Sequence, residues 1–376
     1  MSRKLQIVLA TTLTLVDQFQ TTLSAPQPNT DPKASENKDL DPLPLLSGAS
    51  TALKSHVTRL SLLTIASPFT QSAVATTLTT LNESVLPSLV TATLLVTPES
   101  YTRAFQNEIR ILTGTALKEL SLLVKEVQVV AEEKADKESL EQSEKDTITI
   151  AAGRVWDTCD VLVDISAKGV IGFVVRRAEE YRDLVRDAVE EIEGWDPDEE
   201  GDEFFDDLLG DDEGLTAADD TKTSGTNNGE DNNEEEGSAA LHTRKKDALR
   251  ILKPIAQIYP AIILNRLKKA PVSLALSDIK TLESLMKSLR QIPDHIDEVA
   301  GALYEEDLNR YVCQLGHTKD CASKAIELVV LPWGPKQISS DQESAGDKFT
   351  SWSKTWTKVI EGVSKSIEES NGLESG

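Results

Sequence analysis

Two cysteines and a histidine stand at helical spacing near the C-terminal end of the sequence. Cys313, His317 and Cys321 follow one another at intervals of four residues, which places all three on one side of a helix. Thiolate and imidazole groups are ligands for soft divalent metals, and each adjacent pair could chelate one. The three side chains, however, extend over about 12 Å of helix axis and cannot converge on one ion. We therefore expect no metal site and interpret these cysteines, and also Cys159, as small buried apolar residues.

Signatures of the common catalytic sites are missing from the sequence. It contains no GxSxG, HExxH, GxGxxG or GxxxxGK[ST] motif. The histidines are too scattered to nominate a general base, at positions 56, 242, 295 and 317. The chain is therefore predicted to be non-enzymatic, with no catalytic residue, no cofactor-binding residue and no cofactor.

An acidic stretch divides the sequence. Residues 195–237 hold eighteen Asp and Glu against one basic residue, Lys222, which gives a net charge of −17. Such a composition cannot bury enough apolar surface to offset the entropy of the chain. The stretch is therefore predicted to be a disordered linker.

Four large apolar residues interrupt this acidic stretch. Phe204 and Leu208, and likewise Phe205 and Leu209, are four residues apart, so one short helix would gather them into an apolar patch. Exposed aromatic side chains invite aggregation unless they have a destination. We predict that these four residues contact the groove of a partner protein. Packing onto the protein's own helices is the alternative interpretation.

Composition excludes several classes of protein. The chain has 376 residues, of which 39% are hydrophobic, and a formal net charge of −24. That charge disfavours broad nucleic-acid binding, which needs clustered lysine and arginine; the short basic run Arg244–Lys246 is interpreted as a solvated helix face rather than a nuclear import signal. Three cysteines do not make a disulfide framework, which favours a reducing compartment. No stretch reaches 18 consecutive apolar residues, so no membrane span is predicted.

The first 25 residues can be interpreted in two ways. Two basic residues, an apolar run and the small residues at Leu23–Ala25 resemble a signal peptide. The same segment carries a stripe at spacings of three and four residues, which includes Leu5, Leu9, Val16 and Leu23. We favour an amphipathic helix over a cleaved peptide, because a secreted chain would more often pair its cysteines.

Apolar residues recur with a helical period on both sides of the acidic stretch. After the opening helix, the N-terminal half is predicted to form helices over Leu46–Ala66, Thr70–Val96, Glu99–Glu133, Asp146–Ile165 and Val170–Trp195. The C-terminal half is predicted to form helices over Ala239–Lys269, Leu276–Glu305, Glu306–Val330 and Gly346–Glu369. Pro87 should kink the second of these helices.

This pattern predicts an all-α fold of two antiparallel, up-and-down helical bundles joined by the acidic linker. The predicted domains are residues 1–194, with a loop at 25–45, the linker at 195–237, and residues 238–376. Within the first domain, Trp156 lies on an apolar helical stripe and is predicted to be a core residue.

Two runs of the N-terminal half are distinctive. One is Thr149–Leu162, and the other is Gly172–Trp195, which leads directly into the acidic stretch. Both resemble the cyclin-D-binding protein family (Grap- and cyclin-D-interacting protein-like), and the similarity extends over most of the chain. The residues that anchor it are Gly153, Trp156, Cys159, Asp160 and Gly172, together with the Glu-rich end at Trp195.

The resemblance implies a fold and a function. It implies helical bundles like those of vinculin and talin rods, without enzymatic activity. It also implies a binding protein of the cytoplasm and nucleus that restrains cell-cycle entry and transcription. Its partners would be cyclin-type or helix-loop-helix transcription regulators, with no direct nucleic-acid binding. A helical adaptor of the cytoskeletal or adhesion type is the alternative, since the same architecture supports it.

Overall fold

The described part of the protein is helical. The structure, a computed structural model, describes residues 1–25, 41–133, 140–198, 231–271, 274–333 and 347–373; the side chains of 231–236 and 368–373 are not described. No strand occurs among these residues, so the prediction of an all-α fold is confirmed. Within the same ranges, no helix is both long and apolar enough to cross a membrane.

Long helices follow one another along the chain. They are α1 Arg3–Ser24, α2 Pro42–Ile65, α3 Gln71–Thr80, α4 Leu86–Leu95, α5 Arg103–Glu133, α6 Gln142–Gly194, α7 Asp231–Ala256, α8 Ile258–Asn265, α9 Leu276–Tyr304, α10 Leu308–Val329 and α11 Lys348–Leu373. A π-helical turn at Leu81–Val85 joins α3 to α4, and a 3-10 turn, Leu267–Lys269, follows α8.

Two compact units make up the fold, and each contains two separate stretches of sequence. Unit 1 comprises Met1–Val174 and Leu274–Glu283, and unit 2 comprises Val175–Ser273 and Ser284–Gly376. In unit 1, the Arg103 backbone N–H donates to the Glu283 carboxylate at 2.7 Å. In unit 2, Lys253 pairs with Glu193 at 2.6 Å, near the end of α6. This division differs from the predicted domain 1–194, because the end of α6 packs with C-terminal helices.

The opening segment forms the predicted amphipathic helix. In α1 the side chains of Leu5, Leu9, Val16 and Leu23 are buried, as the stripe indicates. The Ser2 hydroxyl accepts the Leu5 N–H and caps the helix. The buried face packs mainly against α5 within unit 1, so residues 3–24 contribute to that core.

Proline explains the break inside the predicted helix Thr70–Val96. Pro87 has no N–H to donate to the carbonyl of Glu83, four residues earlier. The chain accommodates this loss with a π-helical turn, in which the Leu86 N–H donates to the Leu81 carbonyl, five residues back. The expected kink is thus a local widening of the helix just before the proline.

The break predicted between Ile165 and Val170 lies at a single residue of α6. Gly169 has φ 62° and ψ −166°, and the residues on either side of it are helical. This backbone conformation is essentially restricted to glycine, since a Cβ atom would collide with the backbone. The two predicted helices therefore meet directly at Gly169, without a loop between them.

Two helix boundaries differ from those predicted in the C-terminal half. Helix α7 begins at Asp231, eight residues before the predicted start at Ala239 and inside the predicted linker 195–237. The predicted helix to Lys269 is interrupted after Ala256, because Pro260 lacks the N–H that would bond the Ala256 carbonyl. Residues 199–230 of the predicted linker lie outside the described residues.

Trp156 is part-buried rather than fully enclosed. Its stripe neighbours Ala152, Val155 and Cys159 are completely buried. The Trp156 Nε1–H is itself buried and has no hydrogen-bond partner among the described residues. The indole therefore lies at the edge of the core, so the prediction of a core residue holds only in part.

Truncation of Trp156 measures this partial burial. Full burial would make Trp156→Ala cost about 3–5 kcal/mol, so the part-buried ring should contribute about 2 kcal/mol. Trp156→Phe removes the unpaired donor and should leave the free energy of unfolding nearly unchanged. Urea denaturation of both variants tests this, and an alanine variant as stable as the parent would contradict a packing role.

Limited proteolysis tests the predicted domain division. The first cuts should fall within residues 195–237 and leave two helical fragments, because cleavage requires locally unfolded chain. Mass spectrometry of early digestion products locates the cuts. First cuts inside α6, in the interval 170–192, would contradict this prediction.

Candidate functional site

The predicted cysteine and histidine group is only partly assembled. On α10, the Cys313 sulfur lies 4.0 Å from His317 Nε2, while Cys321 instead contacts Gln291 of α9 at 4.0 Å. Sequence spacing does not connect His295 of α9 to this group, but its ring centroid lies 5.3 Å from that of His317, with the two rings tilted relative to each other. The structure thus joins Cys313, His317 and His295 but leaves Cys321 apart.

Burial of the cysteines is unequal. Cys159 is completely buried, and burial raises the pKa of its thiol to about 12, so this thiol is not reactive. Cys321 is part-buried, and burial likewise raises the pKa of its thiol. Cys313 is exposed. The interpretation of all three as buried apolar residues is therefore confirmed for Cys159 and wrong for Cys313.

The four residues predicted to contact a partner are Phe204, Phe205, Leu208 and Leu209. All of them lie outside the described residues. Before them, the described part of the chain ends at Asp198, and contacts within unit 2 hold this end of the chain in place.

An open groove of about 550 Å³ follows one face of α7, and we call it the α7 groove. Its described lining residues are His242, Lys245, Lys246, Leu249, Arg250, Lys253 and Pro254. Leu249 and Pro254 are part-buried, whereas Lys246 and Lys253 are exposed. The groove therefore combines an apolar floor with a cationic rim. Two of the rim cations, Lys245 and Lys246, belong to the basic run that the sequence pattern indicated only as a solvated face.

A second groove of about 440 Å³ continues the first between α7 and α11. The two share Lys253 and Pro254, and the second adds the side chains of Gln257, Trp352, Thr355, Trp356 and Val359. The Trp356 Nε1–H donates to the Pro254 carbonyl at 2.8 Å, which fixes this tryptophan against the end of α7. Val359 is 46% exposed, so apolar surface extends beyond the α7 groove.

The chain that follows α6 is fixed along the α7 groove. The Asp198 carboxylate lies 2.9 Å from His242 Nε2 and accepts the Ser238 hydroxyl. Hydrogen bonds from Ser238 and His242 hold the pKa of Asp198 below its usual value. The Lys245 ammonium donates to the Trp195 carbonyl, and the Trp195 indole meets the Tyr304 ring edge-on, with ring centroids 4.9 Å apart. Residues 195–198 are therefore held beside α7.

One group of possible metal ligands occurs among the described residues. Ligand atoms of Asp196, Asp198 and His242 lie within 4.8 Å of one another, and all three side chains are exposed. The Asp198 carboxylate is already engaged by Ser238 and His242. This arrangement is accounted for by the hydrogen bonds that hold the chain at the groove.

Comparison with known proteins shows which family the N-terminal half resembles. Residues 45–198 match the family model described as Grap2 and cyclin-D-interacting, N-terminal. The resemblance to this family is confirmed. The matched region covers α2 to α6 and includes all the residues that anchor the resemblance in the sequence. It ends at Asp198, the residue held by His242.

A relative extends the similarity to the C-terminal half. The chain is 22% identical over 329 residues to an uncharacterized protein of Schizosaccharomyces pombe (strain 972). The aligned region covers 86% of this chain and 85% of the relative. The similarity thus includes most of the helices of both units.

Proposed function

We propose that the chain is a non-enzymatic protein-interaction module and a negative regulator of cell-cycle progression or transcription. The match of residues 45–198 to a family described as Grap2- and cyclin-D-interacting is the observation that carries this proposal. The helical fold agrees with it, because helical bundles commonly bind partners through helix faces and grooves.

The proposed partners are cyclin-type or helix-loop-helix transcription regulators, and the proposed location is cytoplasm and nucleus. Affinity purification of the full chain from dividing cells, followed by mass spectrometry, tests this. Enrichment of cyclins, their kinases or helix-loop-helix proteins would support the proposal. Enrichment of actin- and membrane-linked proteins instead would favour a cytoskeletal or adhesion adaptor.

The proposed contact residues for partners are Phe204, Phe205, Leu208 and Leu209. Replacing all four with serine should remove specific partners from the purified complexes, because the apolar patch would be lost. The melting temperature should fall by no more than about 5 °C, since the contacts of so short a segment are worth no more than about 1.5 kcal/mol. Quantitative mass spectrometry and thermal denaturation measure the two effects.

The serine replacement also separates the contribution of the apolar patch from that of the acidic residues around it. Serine replacement leaves every carboxylate of the segment in place, so long-range steering toward a basic partner is retained. A lowered melting temperature with intact partner capture would show instead that these residues serve only to stabilise the protein. If neither the partner list nor the stability changes, the segment serves only as a spacer.

A further inference from the structure

The α7 groove and the acidic stretch are adjacent in the chain. We propose that the α7 groove is the docking surface for residues 202–213 of the same chain, with the apolar side chains of that segment on its floor. This inference does not depend on the proposed function, because it concerns a contact within the chain.

The position of Asp198 is the first argument. Its carboxylate is bonded to His242, which lines one end of the groove. The groove runs from His242 to Pro254, which is about 18 Å along the helix axis. Phe204 follows Asp198 by six positions, and this length of chain spans up to about 20 Å when extended. The apolar residues of the segment can therefore reach every part of the groove.

Glycines in the sequence favour a return along α7. Residues 193–198 run from Lys253 towards His242, so the chain must reverse its direction before it can follow the groove. Gly201 stands between Asp198 and the segment, and Gly210 follows Leu209. Glycine is the residue that most readily permits such a reversal.

Charge complementarity is the second argument. Residues 202–213 contain seven Asp and Glu and no basic residue, whereas the α7 groove carries Lys245, Lys246, Arg250 and Lys253. Arg250 pairs with Asp247, and Lys253 pairs with Glu193. Lys246 makes no ion pair with any described residue. The rim therefore offers Lys246, which has no ion pair among the described residues, and Lys253, whose pair with Glu193 is exposed and exchangeable; both suit an acidic ligand of modest affinity.

The apolar floor is the third argument. Leu249 and Pro254 are part-buried in the α7 groove, and the exposed Val359 continues this surface towards α11. Two phenylalanines and two leucines at i, i+4 spacing match such a floor, while their acidic neighbours face the lysines. Because the segment is tethered, its effective concentration is about millimolar, and a dissociation constant of about 0.1 mM would keep it about 90% docked. Such docking is exchangeable, so a partner retains access to the segment.

Digestion of the full chain with a protease that cleaves after Asp and Glu tests the proposal. The measured quantity is the rate of cleavage after residues 203–213 divided by the rate after Asp219 and Asp220, which serve as an internal reference. The double variant Lys246→Glu/Lys253→Glu should raise this ratio about tenfold, because the segment would be released. The matched control Lys118→Glu/Lys125→Glu makes the same charge change on exposed lysines of α5, also seven residues apart, and should leave the ratio unchanged.

A second variant tests the proposal without changing any residue of α7. Replacing Phe204, Phe205, Leu208 and Leu209 with serine should raise the ratio by the same factor, with no change in the helices. Zero-length carbodiimide coupling in the parent protein should link carboxylates of 202–213 to Lys245, Lys246 or Lys253 of the same molecule.

Several results would overturn the proposal. They are an equal ratio in the parent and both variants, an equal rise in the lysine control, or links absent from the α7 groove. A mixture of isotopically labelled and unlabelled protein distinguishes links within a chain from links between chains. Links found only between chains would show that a second copy supplies the segment. None of these outcomes depends on which partners the full chain captures.

Discussion

Replacing Arg266 with alanine should lower the free energy of unfolding by about 3–5 kcal/mol, because the change removes a buried cation together with its network. The side chain is 2% exposed. Its guanidinium donates to the Val329 and Val330 carbonyls at 2.6 and 2.8 Å, and to both oxygens of Asp347 at 2.7 and 3.0 Å. The Phe349 ring lies 4.3 Å from its central carbon. One residue thus joins the end of α10 to the start of α11 within unit 2.

Urea denaturation of Arg266→Ala measures this effect, with Arg186→Ala as the control. Arg186 is exposed and pairs with the equally exposed Asp187 at 3.2 Å, so its loss should cost no more than about 1 kcal/mol. An Arg266→Ala protein that loses less than 1 kcal/mol would show that this network does not stabilise the unit.

The partner of Arg266 makes the same contribution depend on pH. The hydrogen bonds from Arg266, together with those from Thr350, hold the pKa of Asp347 well below its usual range. A depressed carboxyl pKa stabilises the folded state above the unfolded value, about 3.9, and this stabilisation is lost as pH falls towards the folded pKa. Asp347→Asn keeps a side chain that can cap α11 but removes the charge. Its stability should be lower than that of the parent at pH 7, and the difference should shrink below about pH 4.

Two glycines of α6 should respond to alanine in opposite directions. Gly169→Ala should destabilise the protein by about 1–3 kcal/mol, because its positive φ with ψ near 180° is essentially closed to residues with a Cβ atom. Gly153→Ala should stabilise it by about 0.5–1 kcal/mol, because Gly153 is helical and nothing lies within 4 Å of an added Cβ. The two variants should differ by about 1.5–4 kcal/mol.

Thermal and urea denaturation of the pair test this directly, since both changes add one methyl group to the same helix. Equal stability of the two variants would mean that the interruption of α6 at Gly169 is not required by the fold. The resemblance to the family includes Gly153 and Gly172. It does not by itself indicate at which of these positions the backbone conformation requires glycine. For Gly172 the reason is steric, because an added Cβ would collide with the Lys168 side chain.

Local patterns in the sequence predict the helices well, because apolar periodicity and proline act over a few residues. The stripe of α1, the interruption between Ile165 and Val170, and the effect of Pro87 are all of this kind. The boundary after Ala256 was missed although its cause, Pro260, is visible in the sequence.

Contacts between distant parts of the chain could not be predicted in the same way. Arginine is usually a surface residue, and no local pattern around Arg266 indicates that it is buried. Its burial depends on a contact with Asp347, which is 81 residues away in the sequence. The second groove, which continues the α7 groove, likewise depends on where α11 lies beside α7. Lysines on a helix face have the same spacing whether the face is solvated or forms the rim of a groove, so sequence reasoning identified the cations but not the site.

The discontinuous composition of the two units has a consequence for synthesis of the chain. Unit 1 contains Leu274–Glu283, so its set of residues is incomplete until residue 283 has left the ribosome. The end of α6, in turn, emerges before α7 to α11, the elements with which it forms unit 2. Apolar side chains such as Val185 and Ile192 are buried in the folded protein. During synthesis they therefore stay exposed until the helices that cover them have been translated. A nascent chain halted near residue 194 should accordingly need a chaperone to remain soluble.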